Sequence, residues 1–447
     1  MIASPQAVVP HAQALTRWTL GHAIPSVAIA ARARQGDLQG EVIRRTSRSQ
    51  DLPLDLFERI REAGPFYRGR LAHVTARHGV VREALANPAV HAGIGLDGEG
   101  PLARLASWAR QSQPLGPITP PSLLATEPPD HTRMRKLVTR VFTVRAVESL
   151  RARTEEVAQT LLDDLEARAA ADPRGEVDLV DAYAALLPVT VICEILGVPL
   201  EERDEVRRFG TLAAPSLDLG LSLGRFREVE SALAEFDLWL RAHVERVRRH
   251  PGDDLLSQLV AVREDDGGRL SDAELISTAG LVLAAGFETT VNLIGNGTAL
   301  LAQHPEQRRR LLAGESSWAN AVDEALRFDP PVLLTGRTVV ADTEIAGTAM
   351  RRGELVITHL AGANRDPDVF ADPHVFDVDR ANAGEHVAFS SGRHYCLGAA
   401  LARMEGEVAL RALHERLPGL RVDVDRARRR DTRILRGWAE LPVSPGA

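Results

Sequence analysis

The stretch Phe389-Ser390-Ser391-Gly392-Arg393-His394-Tyr395-Cys396-Leu397-Gly398 decides how the rest of this chain is read. It carries one of two cysteines in 447 residues. The run behind it, Ala399-Ala400-Leu401-Ala402-Arg403-Met404-Glu405, has helical character. Glycines on both sides of the sulfur suit a tight loop whose backbone approaches something flat and bulky. A thiol at the mouth of a helix lies at the positive end of the macrodipole, which favours thiolate. With no second cysteine at metal-site spacing, this sulfur cannot build a zinc or iron–sulfur site. The other cysteine lies in Val191-Ile192-Cys193-Glu194-Ile195-Leu196 and reads as plain core.

A lone sulfur can, however, serve haem iron as its axial ligand. The stretch resembles the haem-binding loop of the cytochromes P450, Phe-x-x-Gly-x-His-x-Cys-x-Gly. Its named positions are filled here by Phe389, Gly392, His394, Cys396 and Gly398. Ser390 departs from the pattern, since many members have glycine there. A buried, inert cysteine would account for a bare thiol but not for the ten-residue pattern. The resemblance, to the soluble bacterial type, implies Cys396 as iron ligand and haem b (iron protoporphyrin IX) as cofactor. It runs from about Asp51 to the C-terminus.

Upstream, Ser271-Asp272-Ala273-Glu274 has the form of a capping box, and the apolar run behind it passes Leu301 and stops by Pro305. Some 30 residues at 1.5 Å rise make about 45 Å of helix, enough to cross a whole domain. Being apolar nearly all round, it should be buried. Its middle, Ala285-Gly286-Phe287-Glu288-Thr289-Thr290, breaks the pattern. Glycine costs ~1 kcal/mol against alanine inside a helix, and an unpaired buried carboxylate costs more. One explanation is local: Glu288 finds a buried partner, and Thr289 bonds back to a carbonyl one turn earlier. The other follows from resemblance, because Ala-Gly-x-Glu-Thr looks like the oxygen-activation motif of the same family. It implies that Thr289 hydrogen-bonds reduced dioxygen while Glu288 relays solvent protons towards it.

Glu324-Ala325-Leu326-Arg327 puts two opposite charges on one face of a helix beginning near Ser317 and ending before Pro330. Alone it indicates a surface pair. It also resembles the buried pair of the haem-thiolate fold, completed by Arg380, whose implied role is to hold the cysteine-bearing segment. The same resemblance makes His131, Arg135, Arg337 and His394 candidates for the haem propionates. His131 and Arg135, four apart, share a helical face. Segments 338–340 and 344–346 read as paired strands, followed by a strand at 355–358, with Asp342-Thr343 and Gly347 in turns.

Along the rest of the chain, residues 1–50 look mostly helical and form an extension ahead of a single domain at 51–447. Helices are expected over 51–63, 78–86, 144–170, 181–196, 201–209 and 225–249, with a further one starting at 127–136; residues 71–75 read as a strand. Between 88 and 129 the glycines 93, 95, 98, 100 and 116 and the prolines 114, 117, 120 and 121 interrupt any long element. By resemblance this is the variable loop covering the substrate pocket. Pocket walls are expected from residues 88–120, 205–225, 281–285 and 332–335.

Charged residues are 26% and hydrophobic ones 44%, as in an ordinary globular protein. A net charge of −7 argues against nucleic acid as partner. Two cysteines give no disulfide framework and fit a reducing compartment. No stretch approaches the ~20 continuous apolar residues of a membrane span. The first 36 residues hold arginines and no acid, and read as an exposed helix packed on the body. A cytoplasmic monomer is expected.

The fold class implied is mostly α with a smaller β-rich region, the cytochrome P450 fold. The implied activity is monooxygenation of a small, mostly apolar organic molecule with dioxygen. Electrons would come ultimately from NAD(P)H through a ferredoxin-type carrier and its reductase. Arg133, Lys136, Arg140, Arg393 and Arg403 flank the expected thiolate side and are candidates to dock an acidic carrier; solvated-face arginines explain them equally well. Two other readings stay open. A peroxide-driven haem-thiolate oxygenase would not need the Glu288–Thr289 pair, and a haem-based binder or sensor would not turn over.

Overall fold

Asp272–Gln303 forms one unbroken helix of 32 residues, and the other large helices are laid around it. Its start is the expected capping box: the Ser271 hydroxyl accepts from Glu274 N at 3.3 Å, and a Glu274 oxygen accepts from Ser271 N at 2.8 Å. It stops at His304, before Pro305, which opens the next helix. The structure, a computed structural model, describes residues 11–46, 51–93, 100–262 and 268–446. Gly95, Gly98 and the ends of the N-terminal extension, residues 1–10 and 47–50, lie outside the described residues.

In chain order the helices begin with α1 (His11–Trp18), α2 (Ile24–Arg34), α3 (Leu38–Thr46), α4 (Leu54–Glu62) and α5 (His78–Ala86). Then come α6 (Pro101–Arg110), α7 (Asp130–Val141), α8 (Val144–Glu148) and α9 (Arg151–Ala171). The middle of the chain supplies α10 (Leu186–Ile195), α11 (Arg203–Ala213), α12 (Leu223–Arg249) and α13 (Leu255–Ala261). The central helix is α14, followed by α15 (Pro305–Leu312), α16 (Trp318–Phe328), α17 (Leu360–Ala363) and α18 (Ala399–Arg416).

The strands are short: β1 (Tyr67–Arg68), β2 (His73–Thr75), β3 (Val90–Ala92), β4 (Val177–Asp178), β5 (Leu334–Val339), β6 (Thr343–Ile345), β7 (Thr348–Met350) and β8 (Leu355–His359). Near the C-terminus lie β9 (Arg421–Val422), β10 (Arg428–Arg429), β11 (Trp438–Glu440) and β12 (Pro442–Ser444). The main sheet has the order β1-β2-β8-β5-β3, with β2 and β8 parallel and the other pairs antiparallel.

The principal core lies between α7, α9, α10, α12, α14 and α18, with Met134, Leu162, Leu187, Cys193, Phe287 and Leu413 among its buried side chains. Cys193 is fully buried there, and burial pushes its thiol up to about 12. A second cluster joins α14, α16 and α18 through Leu293, Val322 and Leu410.

Several expectations need correction. Segment 88–129 is not all loop, because Pro101–Arg110 is helical with Pro101 at its first turn and Ala106 and Ala109 buried. The expected 144–170 helix divides at Ser149–Leu150, where Thr143 caps the short first piece. Thr343 is in a strand rather than a turn, and β6 pairs with β7, not with β5; β5 instead bonds β8 and β3. Helices α13 and α15, and strand β1, were not anticipated; each is too short for its period to stand out. Finally, α14 is long and apolar enough to cross a membrane by composition, but it is the buried core helix of this fold.

Candidate active site

Cys396 ends a loop that its own backbone folds back on itself. Its N–H donates to Phe389 O at 2.9 Å, and Ser390 N donates to Val387 O at 2.9 Å. Two residues in this loop have left-handed backbone: Gly392 at φ +67° and Ser390 at φ +65°. A Cβ on Gly392 would lie 2.5 Å from Leu85 O in α5, so glycine is required there by space as well as by torsion. Ser390 carries the strain that glycine would avoid, and its buried hydroxyl has no partner among the described residues. The Phe389 ring is covered by the Arg403 guanidinium, 4.7 Å from its centroid.

A network below the loop fixes its approach. Glu324 and Arg327 on α16 are fully buried and bonded twice, at 2.6 and 2.7 Å. Arg380 adds a third charge, 3.2 Å from Glu324. The remaining guanidinium donors go to carbonyls: Arg327 to Asn364, Pro373 and Val375, Arg380 to Ala371, Asp372 and Val375. Asn364 then accepts from Val387 N at 2.8 Å, two residues before Phe389. The expected trio is therefore assembled, and it reaches the cysteine loop through Asn364.

The sulfur is accessible within a shell of surrounding protein, as at the mouth of a cleft. Cys396 is accessible to solvent, yet enough protein surrounds it that desolvation raises its thiol pKa. An N–H from Gly398 and the charges of Arg135 and Arg403 act the other way. The Gly398 N–H acts in the direction expected of a helix mouth, and desolvation opposes it. On α14, Leu281, Val282, Ala284, Ala285 and Thr289 are accessible, while Leu283, Phe287, Glu288 and Thr290 are buried. Glu405 on α18 hydrogen-bonds Thr290, which brings this part of α14 against the helix that follows the cysteine.

Around the loop the four propionate candidates converge. The His131 and His394 rings are 4.5 Å apart, and Arg135 donates to Tyr395 O at 2.7 Å. Arg337, 5% exposed, donates to Gly336 O at 2.9 Å and to the Thr335 hydroxyl; burial lowers its pKa to about 10. His131 is held neutral: burial first, then the neighbouring His394 and Arg135, lower its pKa to about 4. Its Nε2 is buried without a partner. Glu127, missed in the sequence, accepts from His394 at 3.0 Å and lies 3.4 Å from Arg393. Despite its burial, bonds from His394 and Ala92 N hold its pKa at about 2. Three arginines and two histidines thus cluster around the loop with one carboxylate, which His394 and Arg393 reach. This cationic surplus, the unpartnered His131 Nε2 and the accessible sulfur fit a flat iron porphyrin with two carboxylates.

Of the two local explanations offered for the α14 interruption, the one for Thr289 holds, while the partner of Glu288 is a partly open arginine that makes an ion pair and no aligned hydrogen bond. The Thr289 hydroxyl donates to Ala285 O at 2.9 Å. Glu288, 2% exposed, has Arg430 2.8 Å from Oε1, off the axis of an aligned hydrogen bond. Desolvation outweighs the pull of Arg430 and Arg207, so its carboxyl pKa is raised. The Arg430 main chain is held by its N–H, which donates to Gly437 O at 3.1 Å, and its neighbour Arg429 pairs with Asp329 at 2.9 Å and with Asn296 Oδ1 at 2.7 Å. Arg430 sits in a basic run with no local pattern, so only the fold reveals it. Glu405 was legible, since it shares a buried stripe with Leu401, Val408 and Ala412.

A family model described as Cytochrome P450 matches residues 319–417, the span from α16 to the end of α18. The "Putative cytochrome P450 140" of Mycobacterium tuberculosis is 46% identical over 432 residues, covering 96% of this chain and 97% of that one. The 6-deoxyerythronolide B hydroxylase of Saccharopolyspora erythraea is 44% identical over 320 residues, 71% of this chain and 76% of its own. Among solved structures, P450BioI in complex with an acyl carrier protein ligated to hexadec-9Z-enoic acid superposes with a TM-score of 0.78. It is 29% identical and covers 89% of this chain and 99% of that one.

Proposed function

The chain belongs to the cytochrome P450 family and is a haem-dependent monooxygenase of bacterial type, and we propose that it oxidises a small, mostly apolar organic molecule with electrons from a separate carrier. The observation that carries this reading is the pairing of an accessible Cys396, on a loop held by Glu324, Arg327 and Arg380, with a buried cationic cluster beside it. Cys396 would be the axial ligand, with Phe389, Gly392 and Gly398 shaping its loop. His131, Arg135, Arg337 and His394 would hold the propionates, with Glu127 and Arg393 setting the charge balance. Residues 51–447 would form the haem-thiolate domain and residues 1–50 its helical extension, in a cytoplasmic protein.

Bound there, the haem would supply dioxygen activation and one-electron chemistry. The chain's own part is to manage protons and water. Glu288, its carboxyl pKa pushed up by burial, sits 2.8 Å from Arg430, which is itself partly open to solvent. Thr289 donates to Ala285 O and keeps its oxygen lone pairs for a partner in the cleft. Replacing Thr289 by Ala or Glu288 by Gln is expected to lower product formed per electron consumed by about 100-fold, the low end of the usual range for a lost proton donor. The haem spectrum should not change.

The substrate reading is supported by the accessible, apolar side chains of Leu281, Val282, Ala284 and Ala285. Relatives named for polyketide and steroid substrates point to the same range of molecules. An acidic ferredoxin-type carrier, reduced from NAD(P)H, would dock near exposed Lys136 and Arg140. Arg133, Arg393 and Arg403, which face Glu274, Glu127 and Asp323, complete the basic face. Reduction that is insensitive to salt and to reversal of these charges would discard that docking face.

The deciding experiment takes protein expressed with ample haem precursor. Its reduced carbon monoxide adduct should show the red-shifted Soret band of thiolate ligation, and its absence from intact protein would sink the reading. Single turnover with a ferredoxin carrier should give product. Product with peroxide alone would indicate the peroxide-driven enzyme, and no product with any carrier the ligand sensor.

A further inference from the structure

The extension α1–α2 does more than pack on the body: it joins two segments that border the cleft and are far apart in sequence. Arg17, 9% exposed, is the junction. Its guanidinium grips Glu230 on α12 through Nε and Nη2 at 2.7 and 2.8 Å. Its Nη1 donates to Ala109 O at 2.5 Å, the end of α6, and to Ser112 Oγ at 3.0 Å. Gln13 adds a bond to Trp108 O at 2.9 Å. One turn on, Trp18 donates to Leu221 O at 2.9 Å, and His22 accepts from Leu221 N and stacks against Phe226. Ser26 lies directly over Gly220.

The segments so joined pack against the same core as α14. Leu115, just beyond α6, and Leu281 and Val282 of α14 each lie partly buried against the main core. Helix α11, which leads into the 214–222 segment, packs along α14, with Gly210 against Phe287. The far side of 218–222 is tied independently: Asp218 accepts from Arg433 N and Ile434 N, and Arg433 donates to Leu219 O.

Resting on the haem-thiolate reading above, we propose that α1–α2 is a strap across the substrate entrance and that Arg17 is its positioning residue, setting which ligands enter and how fast. A buried guanidinium bonded to a carboxylate on one wall and to a carbonyl and hydroxyl on the other resists any motion that parts them. Removing either partner leaves the other charge buried and unpaired, which weakens the join strongly. Opening of the α6 and 220–226 segments then becomes cheaper.

The test uses full-length ferric holoenzyme and 4-phenylimidazole, a nitrogen ligand for haem iron, mixed by stopped flow. Arg17→Ala and the near-isosteric Glu230→Gln are both examined, so that a folding failure in the first does not end the experiment. Expected are association and dissociation rates both faster by roughly tenfold, the effect of ~1.4 kcal/mol on a barrier. The equilibrium constant should be nearly unchanged, and amide exchange should be faster across 101–112 on the same samples. Unchanged rates and exchange in a variant that retains its carbon monoxide band overturn the strap. Faster exchange at 101–112 with unchanged ligand rates likewise overturns it, and a wild-type protein without that band overturns the haem-thiolate reading instead.

Discussion

At the scale of single residues, the cysteine loop separates two neighbours with the same backbone demand. Gly392 and Ser390 both have positive φ, but only Gly392 faces a carbonyl that leaves no room for a side chain. Gly392→Ala is therefore expected to cost ~2–4 kcal/mol, strain and overpacking together, and to lower the haem content of the purified protein. Ser390→Gly should instead raise stability by ~1 kcal/mol, visible as a higher melting temperature with an unaltered carbon monoxide band. The family pattern with glycine at this position was legible in the sequence, but its torsional reason appears only in the folded loop. Glu405 gives a prediction in pH. Burial raises its pKa from 4.5 to about 8, with Thr290 opposing weakly. The folded chain thus keeps a proton that the unfolded chain releases above 4.5, so this group's contribution is complete below 4.5 and is lost as pH rises through 8. Glu405→Gln removes the dependence. In denaturant titrations the variant should gain on wild type by up to ~1.4 kcal/mol per pH unit across that window and no further above it.

Elements were legible where a local rule fixes them, and illegible where distant contacts do. The capping box at Ser271, the stop at Pro305, the Ser317 cap of α16 and the 78–86 helix all follow from short-range chemistry. Helix α6 was hidden because glycines and prolines surround it and its two buried alanines give little periodic signal. Strand partners were misread for a related reason: β6 and β7 form a local hairpin, whereas β5 finds β8 and β3 across long connections that no local pattern records. The Glu324-x-x-Arg327 pair was visible as spacing, but its burial and its link through Asn364 to the cysteine loop were not. Arg380→Ala should break that element outright. It leaves Glu324 short of one cation, and three carbonyls short of a donor, in a dry site. A loss of ~3–5 kcal/mol is expected, read as a lower melting temperature and faster haem loss. An unchanged rate of haem transfer to an acceptor globin would contradict the role given to this residue.

For the whole molecule, the main core is built from apolar side chains of α7, α9, α10, α12, α14 and α18, and the cationic cluster lies to one side of it. Extracting the haem should therefore leave the far-ultraviolet circular dichroism largely intact, while the melting temperature falls by an amount set by lost ligand binding. What the sequence could not convey at this scale is how its ends meet: Arg17 reaches Glu230, and Asp218 reaches Arg433. Both pairs span roughly half the chain. The buried trio of Glu324, Arg327 and Arg380 has a further consequence, because the guanidinium bonds named for it go to Glu324 and to main-chain carbonyls and none reaches into the cleft. The seat for the pigment is thus shaped before the pigment arrives. Porphyrins carrying cobalt or manganese should reconstitute into the stripped protein with the same thiolate contact, which makes this scaffold a candidate host for reactions that iron does not perform.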